Sequence, residues 1–340
     1  MFRFGRYNIG RDQPVFFIAE IGLNHDGKLE QALKLIRAAA QSGAQAAKFQ
    51  MIIPERLFSS YEEHGFSGKN LVDFFRRYSF ADDWLPRLKT CCENEGVEFL
   101  VTPFYEEAVD VLECTGVGAY KIASFELWHG PLLAKVKATG KPVFLSTGMS
   151  NDEDIASACS LFGEYPLALL HCSSLYPPQP GEVNLLAISA LLRSYPCPVG
   201  FSDHFPGWNS VVAAVALGAR VVEKHFTMDR SIKGADHAIS LEPALFRTMV
   251  EQVREVEMML GSGVKQRTGR EEASFRYGRR SVFITSHVPA GSPVTDAAVD
   301  FLRPGVGMSP MDWPAAKGRI ALFDLEPGHP LVSDDLAPLK

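Results

Sequence analysis

Apolar runs and amphipathic stretches take turns along the chain from residue 15 to about residue 260. The apolar runs are VFFIAEIG (15–22), AAKFQ (46–50), EFLVTP (98–103), AYKIAS (119–124), PVFLSTG (142–148), LALLHCS (167–173), VGFSD (199–203) and VVEKHFT (221–227). Each reads as a strand. The segments between them carry helical spacing. LEQALKLIRAAAQSG repeats apolar residues at i, i+3 and i+4 and stops at Gly43 as a C-cap. NDEDIASACSLF opens on an N-cap residue with acids in its first turn. PALFRTMVEQVREVEMML follows the last strand as a long amphipathic helix. Strands alternating with helices predict parallel βα units. Eight of them within roughly 250 residues predict a (β/α)8 TIM barrel. A doubly wound open sheet would instead favour a G-x-G-x-x-G turn after the first strand, and AEIGLNHDG does not have that form.

The pattern changes after Leu260. Residues 263–280 are polar and charged, as a linker would be. Residues 281–340 show short strand runs and the turn signals PAG (289–291) and EPG (326–328). They predict a small, mostly β module. The expected organisation is a catalytic domain over 1–262, a linker over 263–280 and a second domain over 281–340.

Composition adds exclusions. With 340 residues and 46% hydrophobic content, the chain can bury a full core. The net charge is −6, and no Lys/Arg block or basic stripe stands out, which argues against nucleic acid as a partner. An anionic substrate would have to be met by local cations. The six cysteines form no C-x-x-C pair, which fits reduced thiols in the cytoplasm. MFRFGRYNIG lacks the apolar core of a signal peptide, and no run approaches a membrane span. The expectation is a cytoplasmic protein with no membrane partner.

Catalytic groups of such a barrel sit at the C-terminal ends of its strands, so the strand ends carry the chemistry. They read Glu20 with Asn24 and His25; Lys48; Thr102; Lys121, Ser124 and Glu126; Ser146 and Thr147; His171, Ser173 and Tyr176; Ser202, Asp203 and His204; and Glu223, Lys224 and His225. Taken singly, most have an ordinary use. A lysine snorkels or pairs, a serine caps a turn, and His25, His64 and His129 read as satisfied structural groups. Convergence makes the case. The last two strands are barrel neighbours, so His204 and His225 can approach each other. Such a pair with open positions suits a catalytic divalent metal held by nitrogen and oxygen. The alternative is a structural hydrogen bond for each. Lys48 and Lys121 with Thr102, Ser124, Ser146 and Ser202 suit a phosphate and a carboxylate. A Schiff-base lysine is the alternative there.

VVEKHFT concentrates the problem. Alternation puts Val221, Glu223, His225 and Thr227 on one face, so Glu223 can support His225. Val222 and Phe226 face the helices. Lys224 falls on that same helix-facing side, where the sequence assigns it no role.

The motifs AEIGLNHDG, AAKFQ, TPF, YKIASFE, LSTGM, LLHCSSLYP, GFSDH, EKHFTMDRSIKGADHAISLEP and FLRPGVG, in this order, resemble the sialic acid (nonulosonic acid) synthase family. The tail is similar to that family's antifreeze-like domain (SAF, β-clip). The resemblance implies metal-dependent condensation of phosphoenolpyruvate with an N-acetylated hexosamine, namely N-acetylmannosamine or a 2,4-diacetamido-6-deoxy hexose. It implies Mn2+, with Mg2+, Co2+ or Zn2+ as alternatives, on His204 and His225. It implies that phosphoenolpyruvate meets Lys48, Thr102, Lys121, Ser124, Ser146 and Ser202, and that the sugar meets Glu20, Glu126, Tyr176 and Asp236. Glu20, Glu126 and Lys121 are the expected catalytic groups. Arg303 would reach the sugar of the other subunit in a domain-swapped homodimer. Two positions depart from the commoner pattern. Phe125 stands in KIASFE where neuraminate synthases carry a glycine, and Ser174 stands where some members have an asparagine. The competing functions are a pyruvate-dependent aldolase or lyase and a non-catalytic carbohydrate-binding protein.

Overall fold

The computed structural model describes residues 1–58, 71–81, 83–234 and 236–338; His64 lies outside them. Two compact units divide the chain, Met1–Gly261 and Ser262–Lys340.

The first unit is a closed barrel of eight parallel strands. An N-terminal hairpin, β1 (Phe2–Phe4) and β2 (Tyr7–Ile9), precedes it. The barrel strands are β3 (Phe16–Gly22), β4 (Ala46–Met51), β5 (Glu98–Pro103), β6 (Tyr120–Ile122), β7 (Val143–Ser146), β8 (Leu167–His171), β9 (Val199–Asp203) and β10 (Val221–His225). All eight apolar runs form strands, and β10 closes on β3 with Val221 opposite Phe16 and His225 opposite Glu20. The helices lie where the spacing puts them. The first, Leu29–Gln41, is followed by Gly43 at φ 91°, a left-handed conformation that glycine adopts without strain. Asn151 and Asp154 form a reciprocal capping box at the start of helix Asp152–Phe162. The long helix is Pro243–Leu260.

Strand alternation sorts the side chains into two cores. The outer core lies between strands and helices and includes Val222, Phe226, Phe17, Phe49 and Phe246. The inner core fills the barrel and includes Phe16, Ile18, Leu100, Phe144, Leu170 and Val221. The hairpin contributes Phe2, Phe4 and Ile9 to this inner core. Phe4 meets Phe16 and Phe144 edge-on at 5.8 and 5.7 Å, which closes the N-terminal end of the barrel with aromatic rings. Three-residue strands around a Gly5 turn escape a reading based on longer periodic runs.

The second unit pairs β11 (Ser281–Ile284) with antiparallel β12 (Val299–Leu302). Single bridges such as Val288 with Leu325 extend this pairing around a core that includes Val282, Ile284, Trp313 and Leu331. The glycines of PAG and EPG take φ values of 80° and 91°. The polar stretch at the start of this unit is partly helical: Thr268 and Glu271 form a capping box before helix Glu272–Gly278. Among the described residues, no helix is long and apolar enough to cross a membrane.

Candidate active site

A cavity of about 580 Å³ opens at the C-terminal ends of the barrel strands. Glu20, Lys48, Thr102, Lys121, Ser124, Glu126, Ser146, Tyr176, Ser202, His204, His225 and Asp236 all line it. Arg303 follows β12 in the second unit.

The floor of the cavity is a ring of buried charge. Lys48 Nζ lies 2.9 Å from Glu20 and 3.6 Å from Glu223, and Lys121 Nζ lies 3.8 Å from Glu223. Hydroxyls complete the ring. Lys121 donates to Ser146 at 2.6 Å, Lys48 to Thr102 at 3.3 Å, and Ser202 to Glu223 at 2.7 Å. Gln50 donates to Glu20 at 2.7 Å. Burial alone would cost each ion several kcal/mol, so the groups hold their charges largely through one another. Burial raises Glu20 above the usual carboxylate range, against the pull of Lys48. Burial pushes Glu223 the same way, but Lys121 and Lys48 together bring it below that range. Burial lowers Lys121, with Glu223 opposing. Two lysines face two glutamates, so the floor is balanced. Glu223 holds the centre of this ring. Its alternation beside His225 was the only sequence signal for that place, and it pointed to the histidine rather than to the lysines.

The histidines stand on one side of this floor, with ring centroids 5.3 Å apart. His204 Nδ1 bonds to the Ser173 carbonyl at 2.7 Å, which leaves Nε2 as its other ring nitrogen. Among the described residues, His225 Nδ1 is buried without a hydrogen-bond partner, and it lies 3.7 Å from Asp236 Oδ2. Burial holds both imidazoles below their ordinary range, that of His225 well below. Neutral imidazole is the form that ligates a metal, and an unpartnered buried nitrogen fits a donor awaiting an acceptor ion. Among the described residues, no group of three or more His, Cys, Asp or Glu side chains is arranged as a metal site. The Tyr176 ring lies against His204 at 4.2 Å.

The remaining walls differ. Ser124 Oγ accepts from Gly148 N at 2.9 Å and touches Cys172 Sγ at 3.0 Å. A Cβ on Gly148 would fall 2.3 Å from Ser174 Oγ, so only glycine fits there. Asp236 is pushed up to about 7 by burial and by Glu20. Its backbone is fixed by Ser240 Oγ, which donates to the Asp236 carbonyl at 2.7 Å and accepts from Asn24 at 2.9 Å. Glu126 sits on a 3-10 turn, Ser124–Glu126, with His129 Nδ1 at 3.1 Å from its carboxylate. His129 thus supports a group of the cavity wall. His25 packs instead among Phe49, Tyr78, Phe80 and Trp84, and His171 bonds to the Val183 carbonyl at 2.8 Å. Leu23, Ile52, Leu57, Phe58, Phe74, Phe75 and Phe104 also line the cavity and form an apolar wall.

A family model described as the NeuB family matches residues 35–265. The chain belongs to the NeuB family. Among similar proteins, an uncharacterized protein of Methanocaldococcus jannaschii is 38% identical over 98% of both chains. The pseudaminic acid synthase of Campylobacter jejuni is 33% identical over 96% of this chain and 98% of its own. The crystal structure of an N-acetylneuraminic acid (sialic acid) synthetase from Leptospira borgpetersenii, in complex with citrate, superposes with a TM-score of 0.75 at 35% identity. It covers 80% of this chain and 94% of that one. As a member of the NeuB family, this chain carries the charged floor, the imidazole pair and the apolar wall in one cavity of the barrel.

Proposed function

We propose that the protein is a nonulosonic acid synthase. It condenses phosphoenolpyruvate with an N-acetylated hexosamine, releases phosphate and gives a nine-carbon 2-keto acid. The observation that carries this reading is the shared cavity. Lys48 and Lys121, with Thr102, Ser124, Ser146 and Ser202, offer cations and hydroxyls to a phosphate and a carboxylate. Glu20, Tyr176 and Asp236 offer polar groups to sugar hydroxyls. C3 of phosphoenolpyruvate attacks the sugar aldehyde carbon, and water adds to the resulting C2 cation. Glu126, raised by burial against the pull of His129, takes the proton of that water. The C2–O bond to phosphate then breaks and the ketone forms. A divalent cation on His204 and His225, manganese foremost, would supply Lewis-acid polarisation of the aldehyde oxygen.

The apolar wall favours a sugar with methyl groups there. The acetamido methyls and C6 of a 2,4-diacetamido-6-deoxy hexose suit it better than the 6-hydroxyl of N-acetylmannosamine. Phe125, Trp128, Met149 and Leu175 are exposed side chains of the unit that holds this cavity. They support a homodimer in which the partner's Arg303 reaches the sugar. A pyruvate-dependent aldolase using Lys121 as a Schiff base is the second reading, favoured by the burial that lowers that lysine.

The test is phosphate release from phosphoenolpyruvate with each sugar, with manganese and with chelator. Release only when sugar and metal are both present is expected. Chelator-insensitive turnover removes the metal role, and borohydride trapping of a lysine adduct replaces the synthase with the aldolase.

A further inference from the structure

Lys224 and Asp203 form a buried ion pair on the outer side of the barrel, away from the cavity. Lys224 is 0% and Asp203 1% exposed, and Nζ lies 2.7 Å from Asp203 Oδ2. The two residues face each other in the register of β9 and β10. Each is the chain neighbour of one imidazole: Asp203 precedes His204, and Lys224 precedes His225.

The pair also grips the backbone between them. Asp203 Oδ1 accepts from Phe205 N at 3.0 Å, and Lys224 Nζ donates to the Phe205 carbonyl. Asp203 Oδ2 further accepts from Ser210 Oγ at 2.8 Å, at the start of helix Asn209–Ala216. The residue after His204 is therefore held by both members of the pair, its N–H by Asp203 at the end of β9 and its carbonyl by Lys224 near the end of β10. The surrounding layer is apolar, with Phe226, Val222, Val211 and Phe246 in the same core. In such a layer an ion pair stabilises no more than an apolar pair of similar volume, because desolvation offsets the attraction. Stability alone does not explain its use here, and geometry does.

We propose that the Lys224–Asp203 pair is a cross-strand clamp that sets the separation and orientation of His204 and His225 for a divalent cation. The inference rests on the metal reading of that histidine pair. Lys224 and Asp203 are positioning residues: neither lines the cavity. The clamp acts from behind, through the backbone of residues 203–205 and 224–225.

The test measures Mn2+ binding directly, by the electron paramagnetic resonance signal of the free aqueous ion, on the full chain without substrates. The Asp203→Leu/Lys224→Met double variant exchanges the ion pair for apolar side chains of similar volume. At least a tenfold loss of Mn2+ affinity is expected, with the thermal midpoint close to that of the parent chain. Asp203→Glu keeps the charge, lengthens the arm and should also weaken Mn2+ binding. It carries the test if the double variant does not fold. Ser210→Ala removes one bond to Asp203 but leaves the clamp, and should bind Mn2+ as the parent does. A folded double variant, or Asp203→Glu, with parental affinity overturns the clamp alone. His204→Ala and His225→Ala with parental affinity overturn the metal reading, and the clamp with it.

Discussion

The two ends of the barrel use the same strands for opposite purposes. The inward positions run Phe16, Ile18, Glu20 on β3, Leu100, Thr102 on β5, Phe144, Ser146 on β7, and Val221, Glu223, His225 on β10. The early members join the inner core with Phe2, Phe4 and Ile9, and the late members line the cavity. One strand therefore changes from apolar to ionisable without changing face. The N-terminal end is stabilised by burying apolar surface, which needs no partner chemistry. The rim buries charge, which is tolerable only while each lysine keeps its glutamate. Stability should follow the N-terminal end and activity the C-terminal end.

The largest expected effect tests the rim. Lys121→Met removes the cation that bonds Ser146 and faces Glu223. kcat/KM for phosphoenolpyruvate should fall about a thousandfold per folded molecule, roughly 4 kcal/mol of transition-state stabilisation. Steady-state phosphate release measures it, and a loss under tenfold would remove Lys121 from the proposed chemistry. The next effect tests the closed end. Phe4→Ala empties a ring packed against Phe16 and Phe144 and should cost about 3 kcal/mol in denaturant unfolding. Turnover at a temperature where the variant is folded should stay within about twofold of the parent. A tenfold loss of turnover in the folded variant would mean that the two ends are not separable.

The sequence shows the barrel clearly and the site unevenly, for identifiable reasons. Eight apolar runs became eight strands because a parallel barrel buries both strand faces, which leaves a continuous hydrophobic signal. The alternation in VVEKHFT held: Val221 lies in the inner core, and Val222 and Phe226 in the outer one. The hairpin at Phe2–Phe4 and Tyr7–Ile9 was hidden because three residues carry no measurable period. Glu223 was legible as a neighbour of His225 but not as the link between two lysines, because that link joins β4, β6 and β10 across the barrel. Lys224 stayed unexplained for the same reason. Its partner, Asp203, is 21 positions away and becomes a neighbour only through strand pairing. His129 was read as a structural group because nothing in LWHG shows that a tight turn brings its ring back to Glu126.

That last contact gives the smallest and most specific expected effect. If Glu126 accepts the proton of the attacking water, it must be ionised, and the acid limb of the kcat/KM profile follows its ionisation. Burial raises this carboxyl, which places the limb above the ordinary carboxylate range, while His129 pulls it back by charge and by hydrogen bond. Among the described residues, the titratable group that acts on Glu126 is His129, three positions along the chain. Glu20, Lys48, Lys121, Glu223 and Asp236 line the same cavity without a comparable influence on it. His129→Leu removes the opposing influence. The Glu126 pKa then rises, more acid form persists at a given pH, and the limb moves to higher pH with its plateau unchanged. A pH–rate profile of phosphate release reads this directly. Glu126→Gln should abolish the plateau instead, because no ionisation restores its base. A limb that stays in place in His129→Leu would confine His129 to holding the turn. A normal plateau in Glu126→Gln would move the proton transfer to another group of the rim.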